Sequence, residues 1–114
     1  MNTINKMYRV NALLKEELKL SGVKEIQMFP HTRYSKDVFG LWDAVGIYGD
    51  SFIGESIVWI QFKTGYTDKA VFERWCARTG SKGIIAEYIP KKVKKADGKG
   101  SYTQHHIRLT RINF

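Results

Sequence analysis

The sequence holds a single cysteine, Cys76, so no disulfide can close within the chain. At 114 residues a domain can bury enough apolar surface to fold without such a staple. A lone thiol also fits a reducing compartment. Cys76 has no CxxC partner, and His31 lies far from His105 and His106, so the spacings of a zinc site are missing. His105 and His106 are adjacent, and on a strand they face opposite ways. No apolar run approaches the roughly 20 residues of a membrane-spanning helix. The start, MNTINKMYRV, lacks a signal-peptide core, and the chain reads as cytoplasmic. Phosphate loops of the GxxxxGK or GxGxxG kind are absent, which argues against nucleotide binding. Neither a repeat nor a linker divides the chain, so residues 1–114 read as one domain.

Acidic residues are scarce. There are 11 Asp and Glu against 19 Lys and Arg, for a net charge of +8. A small basic domain is drawn to polyanions, of which nucleic acid is the commonest. Lys91, Lys92, Lys94, Lys95 and Lys99 crowd one segment. Such a run is usually a solvated loop, but it also suits a DNA backbone.

Apolar spacing predicts a helix over about 4–21, from Ile4, Met7, Tyr8, Val10, Leu14 and Leu18, ended by Gly22. Strands follow over 24–29, stopped by Pro30, and over 42–48. Residues 57–63, IVWIQFK, are apolar on both faces apart from Gln61 and Lys63, as a central strand would be. Thr67 is placed to cap a second helix over 68–79, ended by Gly80, with Val71, Phe72, Trp75 and Cys76 forming its apolar face. A strand over 83–89, a lysine-rich loop and a strand over 102–113 complete the chain. The order is α-β-β-β-α-β-β, an α/β domain with a mixed sheet flanked by helices.

A hairpin turn centred near Ser51–Phe52 sets Asp43 opposite Gln61, and a slip of a residue or two sets it nearer Lys63. Gln61 and Lys63 share one face of their strand. A carboxylate, an amide oxygen and an ammonium thus meet at one end of a hairpin. The two oxygens, with the Phe62 carbonyl, suit a hard cation such as Mg²⁺. Lys63 is placed to orient water or offset charge on phosphorus.

These segments, Gly40-Leu41-Trp42-Asp43 and Gln61-Phe62-Lys63, resemble the PD-(D/E)XK nuclease superfamily, whose core runs α-β-β-β-α-β. The first is similar to the G-x-P-D of VRR-NUC and Holliday-junction-resolvase branches, with Trp42 in place of proline. In the second, Gln61 stands where an acid is usual, as in Mrr-like restriction endonucleases. The resemblance implies a restriction-endonuclease-like core and a Mg²⁺- or Mn²⁺-dependent deoxyribonuclease. Asp43, Gln61 and Lys63 would be catalytic, with Asp43, Gln61 and Phe62 on the metal. It further implies a homodimer acting on branched, Holliday-junction-like DNA. The glutamate that resolvases carry on the first helix has no counterpart, since its place falls near Arg9 or Asn11. Glu16 and Glu17 lie nearer the helix end and read as solvated.

Arg33, Lys36, Lys69, Lys91, Lys92, Lys94 and Lys95 are the candidate DNA contacts, with His31 beside them. Asp37, next to Lys36, reads as a solvated charge rather than a second candidate acid. Tyr66 and Tyr102 are candidates to stack on bases, whereas Trp42, Trp59 and Trp75 read as core. The rival readings are a non-catalytic nucleic-acid-binding module of the same fold and a basic scaffold of a nucleoprotein particle.

Overall fold

A computed structural model of the chain describes residues 3–29, 41–52, 54–96 and 98–114, with side chains from Arg9 onward. His31, Arg33, Lys36 and Asp37 lie outside the described residues. The elements are α1 (Thr3–Leu20), β1 (Val23–Met28), β2 (Ala44–Asp50), β3 (Gly54–Thr64), α2 (Ala70–Thr79), β4 (Lys82–Lys94) and β5 (Ser101–Ile112). They follow the order expected from the sequence.

The five strands form one mixed sheet in the order β1-β2-β3-β4-β5. β1, β2 and β3 are an antiparallel meander, and β4 then runs parallel to β3. Parallel neighbours need a crossover, which α2 provides. β3 is central, and its apolar residues are used on both faces. Val58, Ile60 and Phe62 join Val10, Leu14 and Leu18 of α1 in one core. Trp59 points the other way, toward Trp42, Phe72 and Cys76. On β4 the same division holds, with Ile84 under α1 and Ile85 under α2.

Gly83 shows how tightly the second core closes. A Cβ there would lie 2.6 Å from Trp42 Cη2 and 3.0 Å from Cys76 Sγ. Only hydrogen fits between β4 and the indole, so glycine is required for packing rather than for backbone freedom.

Two local expectations are corrected. Thr67 does not cap α2. The helix starts after Lys69, which makes no side-chain cap, while Asp68 Oδ1 accepts from the Ala70 N–H at 3.0 Å. The Thr67 N–H is taken by Glu87 instead, at 2.7 Å. The lysine-rich run is also not a loop throughout, because its first four residues, Lys91–Lys94, are strand. β4 continues to Lys94 and pairs with β5 up to Lys94↔Ser101. Lysine is a poor strand former, but the run faces the β-prone YTQHHI of β5 and includes the Val93↔Tyr102 cross-strand pair, and the ladder prevails. A short turn closes the ribbon, with Lys95 N–H donating to Gly100 O at 3.2 Å. No helix among the described residues is long and apolar enough to cross a membrane.

Candidate active site

The β2–β3 register pairs Ala44 with Ile60, so the next position sets Asp43 beside Gln61. Asp43 is held by its backbone on both sides. Its N–H donates to Ile60 O and its carbonyl accepts from Phe29 N–H, each at 2.9 Å. Its side chain turns back onto β3, where Oδ2 accepts from the Phe62 N–H at 3.0 Å in a buried contact. A carboxylate at 9% exposure needs such donors to remain charged.

Gln61, at 5% exposure, reaches the same oxygen. With its amide nitrogen inward it donates to Asp43 Oδ2 at 3.0 Å and to the Leu41 carbonyl. With its oxygen inward, three oxygens meet with no proton between them, an arrangement that a cation would hold together. The donor set is all oxygen, as a hard divalent cation requires. Asp43, Gln61 and the Leu41 carbonyl are the groups that would hold such an ion, and the inward amide nitrogen satisfies the same oxygens without one. The Leu41 carbonyl was not among the sequence candidates; Phe62 enters through its N–H. Among the described residues no group of three His, Cys, Asp or Glu side chains gathers at one place, and those that meet here supply one carboxylate and neutral oxygens.

Lys63 lies two residues beyond Gln61 on the same face and is exposed. Its neighbour on β4 is Glu87, which sequence reading passed over. Glu87 is fully buried. It pairs with Lys69 Nζ at 3.0 Å and Arg108 Nε at 2.9 Å, and also accepts from Thr67 N–H. Burial raises the pKa of this carboxyl, but the hydrogen bonds from Arg108, Lys69 and Thr67 outweigh it, and the net shift is downward. The signal in the sequence was a single acid inside the apolar strand GIIAEYI, facing an arginine on the next strand. Lys69 is mostly covered, its ammonium shared between Glu87 and the Thr67 carbonyl. It contributes charge next to Lys63 from a fixed position.

A carboxylate with a lowered folded pKa stabilises the fold above its unfolded pKa of about 4.3. That contribution disappears as pH falls through the lower folded value. Glu87→Gln is therefore expected to lose about 2–3 kcal/mol at pH 7, below the full range for a broken buried pair because Lys69 and Arg108 can reach water. The gap between variant and wild type should narrow as pH falls below about 4.3. Urea titrations at pH 7 and pH 3 check this; a gap that is constant with pH would remove the ionic role.

The remaining candidates are dispersed. Lys91, Lys92, Lys94 and Lys95 are exposed along the β4–β5 ribbon and its turn. Tyr66 and Tyr102 are exposed, at 66% and 48%, and the Arg108 guanidinium lies 4.8 Å over the Tyr66 ring. Trp42, Trp59 and Trp75 pack edge to face at 5.4 and 5.6 Å, as core rather than as open platforms. Cys76 is buried and burial pushes its thiol pKa up, so it is no nucleophile. Glu16 is exposed on α1 and lines a groove with Tyr88 and His105. His105 and His106 alternate across β5, pairing with Pro90 and Ile89. No family model matches the chain, and no curated protein sequence matches it.

Proposed function

We propose that the chain is a metal-dependent deoxyribonuclease of the PD-(D/E)XK kind, with Asp43, Gln61 and Lys63 as its catalytic residues. The observation that carries this reading is the β2–β3 register, which brings Asp43 against Gln61-Phe62-Lys63 at one end of the sheet. The element order and the parallel β3–β4 pair support it. A bound Mg²⁺ or Mn²⁺ would polarise the scissile phosphate and acidify its water. Asp43 and Gln61 would hold that ion. Asp43 Oδ2 is fixed in place by its hydrogen bond from Phe62 N–H. Lys63, in water at the strand end, meets the phosphate and offsets charge as it develops. Lys69 and Arg108, positioned by Glu87, add positive charge on the same face. Branched DNA and a homodimer belong to the proposal through the family resemblance.

A non-catalytic DNA-binding module is the second reading. It is favoured by the inward amide nitrogen of Gln61, which satisfies Asp43 without a cation. A labelled panel of single-stranded, duplex, flap and four-way-junction DNA, with Mg²⁺ or Mn²⁺, separates the two. Cleavage abolished by EDTA supports the nuclease. Tight binding without cleavage of any substrate supports the module and sinks the enzyme.

A further inference from the structure

The β4–β5 pair extends well past the rest of the sheet. β3 accompanies β4 only as far as Thr64↔Tyr88. From Ile89↔His106 to Lys94↔Ser101, β4 and β5 pair with each other alone among the described strands. At about 3.3 Å per residue this ribbon is roughly 20 Å long. A two-stranded ribbon is marginally stable in water, and lysines do not improve its strand propensity. Residues 89–106 carry five lysines against one aspartate, so about half of the net charge of the chain sits on this two-stranded extension, whose root also lines a groove with Arg9 and Glu16 of α1.

The lysines are divided between the faces. Strand alternation sends Lys92 and Lys94 to one side, with Thr103 and Ser101 opposite them, and Lys91 to the other, beside Gln104. An arm lying flat on a surface would charge one face only. Charge on both faces suits an arm with phosphate on either side, as in a groove. Strands about 4.8 Å apart fit the B-DNA major groove, about 12 Å wide, which admits a two-stranded ribbon. The major groove of A-form RNA is too narrow and deep. At its root the arm is braced by the Tyr88 hydroxyl bonded to His105.

We infer that the ribbon of residues 89–94 and 101–106 is a duplex-reading arm that enters the major groove of B-form DNA, with Lys92 and Lys94 contacting one phosphate wall and Lys91 the other. This deepens the nuclease reading by placing the substrate, yet it needs no cleavage. Binding is therefore measured by fluorescence anisotropy in EDTA, between about 50 and 200 mM salt. A chain that binds through the arm but never cuts would fail the nuclease reading and keep this one.

Wild type is expected to bind duplex DNA more tightly than duplex RNA or single strands. Lys92→Glu/Lys94→Glu should weaken duplex binding about ten-fold or more and flatten the salt slope by about 2, and Lys91→Glu should flatten it by about 1. Lys19→Glu/Lys24→Glu, on exposed positions of α1 and β1, makes the same change in net charge and should cost far less. Neutral Lys→Gln versions should flatten the slopes likewise, and thermal melts show that each variant is folded. Equal losses in the control, duplex RNA or single strands bound as tightly as duplex DNA, loss on one face only, or no DNA binding by wild type would each overturn the inference. The last outcome would leave the arm to a protein partner.

Discussion

Asp43→Asn is expected to reduce metal-dependent DNA cleavage at least about 10³-fold, the equivalent of roughly 4 kcal/mol at the transition state. The substitution removes the one carboxylate that the described residues bring among the oxygens converging beside Gln61. It should not unfold the protein, because the asparagine Oδ1 can still accept from Phe62 N–H, as Asp43 Oδ2 does at 3.0 Å. Asparagine is therefore a cleaner probe than alanine, which would leave that buried N–H without its acceptor. Lys63→Met provides the contrast. Lys63 is exposed and supplies no oxygen to the group beside Gln61, so its loss should slow cleavage about 10²-fold while Mn²⁺ still binds. Single-turnover rates with Mn²⁺ titrations read both effects. Asp43→Asn cleaving at the wild-type rate would end the proposed assignment of the acid, whatever the substrate.

Trp42→Ala should cost about 3–5 kcal/mol, a large share of the 5–15 kcal/mol available to a domain. The indole is fully buried. It packs on Phe72 and Trp75 at 5.2 and 5.4 Å and fills the space that Gly83 leaves open. Truncation opens a cavity between α2 and β4 that neither rigid element can close. A fall in Tm of roughly 15 °C or more is expected for a domain of this size. Because Trp42 immediately precedes Asp43, the variant should also lose metal affinity at temperatures where it remains folded. Trp42→Phe should be much milder. The indole Nε1 has no hydrogen-bond partner among the described residues, so phenylalanine gives up volume but breaks no bond. Calorimetry that found Trp42→Ala within about 5 °C of wild type would show that this core is not what seats the Asp43 strand.

Much of this architecture is legible in the sequence. Leu14 and Leu18 repeat at helical spacing and are fully buried under α1. Gly22 and Gly80 take the positive φ that ends each helix. IVWIQFK, apolar on both sides, is the central strand that its composition implied. The Asp43–Gln61 juxtaposition was also readable, because a hairpin register follows from where its turn lies.

Other features depended on partners distant in the chain. Lys91 and Lys92 read as loop residues until β5 supplies the ladder that makes them strand. Thr67 reads as a cap until Glu87, 20 residues on, takes its N–H. Glu87 itself reads as an unremarkable acid, since Lys69 and Arg108 reach it from either side only after the β3–α2–β4 crossover and the β4–β5 pairing are made. The orientation of the Gln61 amide likewise depends on which atoms of Leu41 and Asp43 meet it. Periodicity, caps and turn positions are local, so the sequence alone determined the elements, their order and the acid-to-QxK alignment. Which charges are buried, and which oxygens face one another, follows from desolvation and from contacts between distant segments, and only the tertiary structure decided those.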